Sequence, residues 1–193
     1  MFQCMRKNLD VSVILATIIV LLTVVSSFGI TEYANYLQVG VLNLDTIPWS
    51  YRVYFKLSSV YAIFLPIAMF LYLFITIKLM MNYFFEDYLS SKTLYIMIGI
   101  GFVPVLLYQY FFWFNLVSYC NLHVVKTTDD FMNMRFMFGL DLKALGFISN
   151  IGWGALYLII TLWMYLTGRS LIKTLCSVVV PTLFVILMYH IIK

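Results

Sequence analysis

Apolar residues fall in five long stretches separated by short polar or aromatic segments: Val11 to Ile30, Leu57 to Ile77, Thr93 to about Tyr119, Ala144 to Thr167, and Thr174 to Ile192. A helix crossing a hydrocarbon core about 30 Å thick needs about 20 largely apolar residues, and each stretch meets that length. They are too continuously apolar for amphipathic surface helices, and none alternates as a barrel strand must. The pattern predicts an all-α, polytopic integral membrane protein, a single five-transmembrane-helix domain. Its spans lie near 11–30, 57–77, 93–119, 144–167 and 174–192, with outer loops 31–56 and 120–143.

Composition agrees: 193 residues are 64% hydrophobic and 10% charged. A soluble domain carries about a quarter charged residues, so a free soluble enzyme, a disordered tail and a disulfide scaffold are excluded. Arg6 and Lys7 before the first stretch resemble a secretory signal. The stretch is too long for a signal core, and no Ala-x-Ala site follows, so it reads as a retained anchor. With the N-terminus inside, Lys and Arg divide six against six. The inner ones, Arg6, Lys7, Lys78, Lys92, Arg169 and Lys173, sit hard against span ends. The outer ones, from Arg52 to Lys193, are diluted by acids in longer loops. This favours an N-in, C-out orientation.

In the first outer segment, Asp45 or Thr46 could cap a short headgroup-region helix with Pro48 in its opening turn and Trp49, Tyr51, Tyr54 and Phe55 beside Arg52 and Lys56. The alternative is an ordinary aromatic belt. In the second, Asp129 and Asp130 precede an apolar tract of Phe131, Met132, Met134, Phe136, Met137 and Phe138, which should pack on its own bundle.

No stretch has Asp, Glu, Lys or Arg in its middle, so proton relays and carboxylate-based catalysis or ion coupling have no groups to run on there. His123 and His190 form no metal-binding spacing, and Cys4, Cys120 and Cys176 no C-x-x-C pair. No catalytic residue, metal or cofactor is expected. The net charge of +4 is scattered over span ends, which suits lipid and argues against nucleic acid. Helix punctuation is more distinctive. Gly99, Gly101 and Pro104 lie in the third stretch, Gly146, Gly152 and Gly154 around Trp153 in the fourth, and Pro181 in the fifth. Each proline should bend its helix unless a neighbour compensates, and the glycines admit close helix approach. Plain packing is the first reading, a hinge or substrate path the second. Gln109, Asn115 and Asn150 are candidates for hydrogen bonds between helices.

The second half of the chain, Phe70 to Lys193, resembles the Yip family of five-span membrane proteins, bacterial type. The resemblance rests on the polar turn Asn82 to Lys92, the run Tyr95-Ile-Met-Ile-Gly-Ile-Gly-Phe-Val-Pro104, Asn150-Ile-Gly-Trp153, the turn Gly168 to Lys173, and Val180-Pro181. Eukaryotic members have a long cytosolic N-terminal segment, whereas only about ten residues precede the first stretch here. The resemblance implies no catalytic residues and a role with other membrane components, for some bacterial members beside ABC-type exporters. With the resemblance, the leading expectation is a non-enzymatic accessory or scaffold subunit of a bacterial cytoplasmic membrane, in contact with the lipid bilayer and with other membrane subunits or its own copies. The alternatives are a small transporter subunit with a path along the Gly99–Pro104 and Pro181 bends past Gln109, and a lipid enzyme using His123, Asp129 and Asp130.

Overall fold

Every apolar stretch is helical in the computed structural model, which describes the backbone of residues 2–41, 48–122, 130, 133–136 and 139–192, and side chains over 11–38, 48–120, 130, 133–136, 139–141 and 143–183. The helices are α1 (Phe2–Val41), α2 (Trp49–Leu79, closed by a π turn at Met80–Phe84), α3 (Ser91–Gly101), α4 (Val103–Leu122), α5 (Leu142–Leu166) and α6 (Leu171–Ile192). Among the described residues there is no strand. Asp45, Thr46, His123, Asp129, Phe131, Met132, Met137 and Phe138 lie outside the described residues, as do the side chains of Cys4, Arg6, Lys7 and His190.

Four helical segments are long and apolar enough to cross a membrane: Val11–Gln38, Trp49–Phe84, Ser91–Cys120 and Lys143–Leu166. The described apolar part of α6, Leu171–Leu183, is shorter. The outward surface of the helices is as apolar as the core. The exposed face of α1 carries Val11, Ile14, Leu15, Ile18, Leu21 and Val25, while Ala16 and Thr23 are buried. On α2, Leu57, Tyr61, Phe64, Leu71 and Ile75 face outward, and Ser59 and Ala62 inward. Large apolar groups on the outside, over an interior that holds Leu73, Ile77 and Phe102 as well as the small residues, suit hydrocarbon surroundings, where association depends on close packing rather than on exclusion of water.

The helices overrun the expected span ends. Of the expected outer loop 31–56, residues 31–41 belong to α1 and 49–56 to α2. Thr31, Glu32, Asn35 and Gln38 dilute the apolar run, but none of them breaks a helix. At about 1.5 Å per residue the 40-residue α1 is roughly twice as long as a bilayer core is thick. The separate headgroup helix is likewise absent, because α2 runs from Trp49 through the second span without a break. The second outer loop also shrinks, with α4 continuing to Leu122 and α5 starting at Leu142. There the Asp141 carboxylate accepts from the Ala144 N–H at 2.7 Å.

Backbone contacts divide the chain into two compact units, because long helices contribute different halves to different neighbours. One comprises Met1–Val20, Ala68–Val103 and Trp153–Lys193; the other comprises Leu21–Ile67 and Pro104–Gly152.

In the first unit, α3 packs on α1 and α5. A Cβ on Gly99 would fall 2.6 Å from the Ala16 Cβ, and one on Gly101 would fall 3.2 Å from Ile160 Cγ1. Phe102 meets Trp153 edge-on at 6.0 Å and Phe70 at 6.3 Å between ring centroids. At Phe102 the helix breaks, its N–H reaching back three residues to the Gly99 carbonyl at 3.3 Å. Pro104, which has no N–H and crowds the carbonyl four residues earlier, explains the break. In contrast, α6 is helical straight through Pro181, and α2 through Pro66, a proline the sequence reading passed over.

In the second unit, Leu116, Met134, Phe136 and Leu145 form a buried cluster flanked by Tyr33, Leu37, Phe112 and Ile148. The apolar tract after Asp130 therefore packs on its own helices at Met134 and Phe136, as its composition predicted.

Candidate functional site

Hydroxyls within the spans are mostly satisfied by their own helices. Thr17, Thr76, Thr161, Thr174, Ser177 and Thr182 each donate to the carbonyl four residues back. Of the span amides, Asn115 donates to the Phe111 carbonyl of its own helix at 2.7 Å. Asn150 is exposed and makes no hydrogen bond with the described residues, so the structure does not give it the expected interhelical role.

Gln109 is different. Its α4 position turns it toward α1, where Nε2 donates to Ser27 Oγ at 3.3 Å. Its Oε1 is buried and accepts no hydrogen bond from the described residues. Turning the amide over would let the oxygen accept from Ser27 and strand the NH₂ group instead. A buried unpaired polar atom costs about 1–3 kcal/mol, so this side chain is held at a cost. Beside it lies a cavity of about 220 Å³ lined by Val25, Ser26, Gly29, Gln109, Tyr110 and Trp113. The Trp113 indole lies against Gly29, where a Cβ would stand in ordinary contact 3.4 Å from the ring, and Tyr33 meets the same indole with ring centroids 5.6 Å apart. The arrangement can take a small, mainly apolar group bearing one hydrogen-bonding atom.

The punctuation residues divide. Gly99 and Gly101 make close approaches, and a Cβ on Gly152 would stand 3.5 Å from the Pro104 carbonyl oxygen. Among the described residues nothing lies within 4 Å of where a Cβ on Gly146 or Gly154 would stand, so these two do not make the close approach expected of them there. Two residues are about 200° of helix rotation, so Gly152 and Gly154 cannot face the same neighbour. Trp153 is half-buried against Phe102.

Three polar arrangements escaped the sequence reading. Asn35 Nδ2 lies 3.1 Å from the Phe55 carbonyl, 3.0 Å from Ser58 Oγ and 3.1 Å from Ser59 Oγ. Arg169 donates to Thr167 Oγ1 at 2.8 Å and to the Tyr88 carbonyl at 3.3 Å, with Nε 3.8 Å from Asp87. Lys173 reaches the Phe85 carbonyl at 3.3 Å, so two cations of the α5–α6 turn hold the α2–α3 loop. That loop contains Glu86 at φ 52°, a left-handed residue, beside the Asp87 N–H bond to the Met81 carbonyl at 2.9 Å. The third is Ser177, which is buried and also contacts Met81 Sδ at 3.1 Å. Only the basic turn had a visible signal, in the spacing of Arg169 and Lys173.

Among the described residues no group of His, Cys, Asp and Glu could hold a metal ion. In comparisons with family models, curated proteins and solved structures, the chain matches none.

Proposed function

We propose that this chain is a non-enzymatic, five-span inner-membrane protein that works by assembling with other membrane components, as an accessory or scaffold subunit such as one serving an ABC-type exporter. The carrying observation is the sparse coverage of α1. Its close contact at Ala16 fixes it to α3, yet only 17% of its most apolar window is buried, against 50% for Ser91–Cys120. The exposed row from Val11 to Val25 leaves room for further helices. The Yip-like part of this reading rests on the sequence motifs alone. In this reading α6 is the fifth span, and the N-terminal end faces the cytoplasm.

Affinity purification of the full chain in several mild detergents tests the assembly. A defined co-purifying membrane subunit, or a stable homo-oligomer, is expected; a monomer without a partner in every detergent overturns it. Reporters of sidedness fused at the two ends should report opposite sides, and the same side would remove the five-span arrangement.

A second reading, a small transporter subunit, is favoured by the Gln109 cavity alone. It requires transported solute to depend on Gln109, and transport unaffected by Gln109→Leu would end it. The lipid-enzyme alternative has no such support, since His123 and Asp129 lie outside the described residues.

A further inference from the structure

The cavity beside Gln109 has an unused hydrogen-bond donor at its rim. Tyr110, the next residue of α4, lines the same cavity and keeps 51% of its surface exposed, yet its hydroxyl makes no hydrogen bond with the described residues. Gln109 is the reverse case: it is 7% exposed, and its Oε1 accepts nothing. The side chains of α1 from Leu21 to Gln38 and of α4 from Val103 to Cys120 are all described, so no undescribed group of these two helices stands beside either residue. Depth makes the surplus costly. Gln109 bonds Ser27, which lies about 4 Å along α1 from the midpoint of the span Val11–Gln38, well inside a hydrocarbon core about 30 Å thick. Acyl chains offer no hydrogen-bonding group there, and neither headgroups nor bulk water reach that depth, so an amide oxygen and a phenol must find their partners on protein.

We propose that a second copy of this chain docks on the α1–α4 face, each copy seating its Tyr110 in the cavity of the other, where the hydroxyl donates to Gln109 Oε1. Three features select a second copy over another membrane protein. The spare donor and the spare acceptor occur on one surface, so two copies related by a two-fold axis satisfy each other twice. Rotation about an axis along the membrane normal leaves depth unchanged, and adjacent residues differ by only about 1.5 Å along their helix, within the reach of a phenol. The cavity of about 220 Å³ has room for a single aromatic side chain. The terminal torsion of Gln109 is soft, so the amide can turn to a phenol that both donates and accepts. Val25 and Phe28 of α1 and Leu107 and Phe114 of α4 are exposed on either side and supply the apolar contact. This docking rests on the assembly reading and gives it a partner and a seat.

The test labels two pools of the full chain with donor and acceptor dyes, combines them in liposomes and follows energy transfer against protein density. The wild type should dimerise. Tyr110→Phe, which removes only an exposed hydroxyl, and Gln109→Leu should each weaken the dimer about five- to ten-fold, since two hydrogen bonds within the membrane are lost per dimer. The double variant should be no weaker than either single one, because both changes remove the same pair of bonds. Ser26→Phe, which fills the cavity, should weaken the dimer at least as much. Tyr61→Phe, on the outward face of α2, is the control and should change nothing. Wild-type association by Tyr110→Phe, or additive losses in the double variant, overturns the docking and leaves the assembly reading standing. A wild type that stays monomeric in liposomes also overturns it, and co-purification then decides the assembly reading separately. Should Gln109→Leu fail to give a monodisperse protein, Tyr110→Phe decides alone. With a photoactivatable benzoylphenylalanine in place of Tyr110, a differently tagged second copy should be crosslinked at its α1 or α4 peptides, and crosslinks confined to other helices would refute the site.

Discussion

Gly99 of α3 and Ala16 of α1 meet with no space for one further carbon: a Cβ on Gly99 would lie 2.6 Å from the Ala16 Cβ and 3.0 Å from its Cα. Backbone and Cβ atoms cannot swing aside as a long side chain can, so the helices themselves would have to part. Gly99→Ala should therefore destabilise the protein by about 1–3 kcal/mol, the usual cost of overpacking, read as a lower thermal midpoint in detergent. Adding Ala16→Gly should recover much of the loss. Gly154→Ala, with none of the described residues within 4 Å of the added carbon, should be neutral or slightly stabilising, since alanine is the better helix former.

Asn35 donates toward three acceptors on α2, and no other described side chain of α1 links to that stretch so densely. Asn35→Ala should cost about 1–2 kcal/mol, because it removes the donor opposite the Phe55 carbonyl. Asn35→Asp should cost more, since it sets a carboxylate oxygen against that carbonyl. Thermal unfolding of the three proteins side by side gives the order.

Gln109 makes the opposite expectation. Its unpaired Oε1 means that Gln109→Leu removes a penalty along with one long hydrogen bond, so stability should hold or rise. A fall of more than about 1 kcal/mol in the unfolding free energy would show that the amide is satisfied in the native state by something bound in the cavity.

Arg169 joins the α5–α6 turn to the α2–α3 loop through Tyr88 and Asp87. The ion pair is partly exposed, its side chains retaining 15% and 30% of their surface, so it contributes no more than about 1 kcal/mol. Arg169→Lys should leave the thermal midpoint nearly unchanged. It should speed amide exchange in the 85–90 loop, measured by mass spectrometry, because lysine cannot reach Thr167, Tyr88 and Asp87 together. The same loop strains Glu86 into a left-handed backbone, and Glu86→Gly should stabilise it by up to about 1 kcal/mol.

The apolar spacing of the chain determined which segments are helical and what they are immersed in, since a run such as Leu57 to Ile77 satisfies its own backbone bonds and has no charge to solvate. Pro104 likewise announced its break, a property of one residue acting on its own helix. What the sequence left open depends on rotation and on reach. Helix α1 continues to Val41 because Tyr33 and Leu37 have a cluster to enter and Asn35 has acceptors on α2, partners that no local pattern reveals. Gly152 and Gly154 are the same residue two positions apart; one meets Pro104 and the other meets none of the described residues. Which glycine a neighbouring helix approaches and which amide is paired are decided only when helices distant in sequence are brought side by side, because each helix turns about 100° per residue and only a packed neighbour fixes which side is inside.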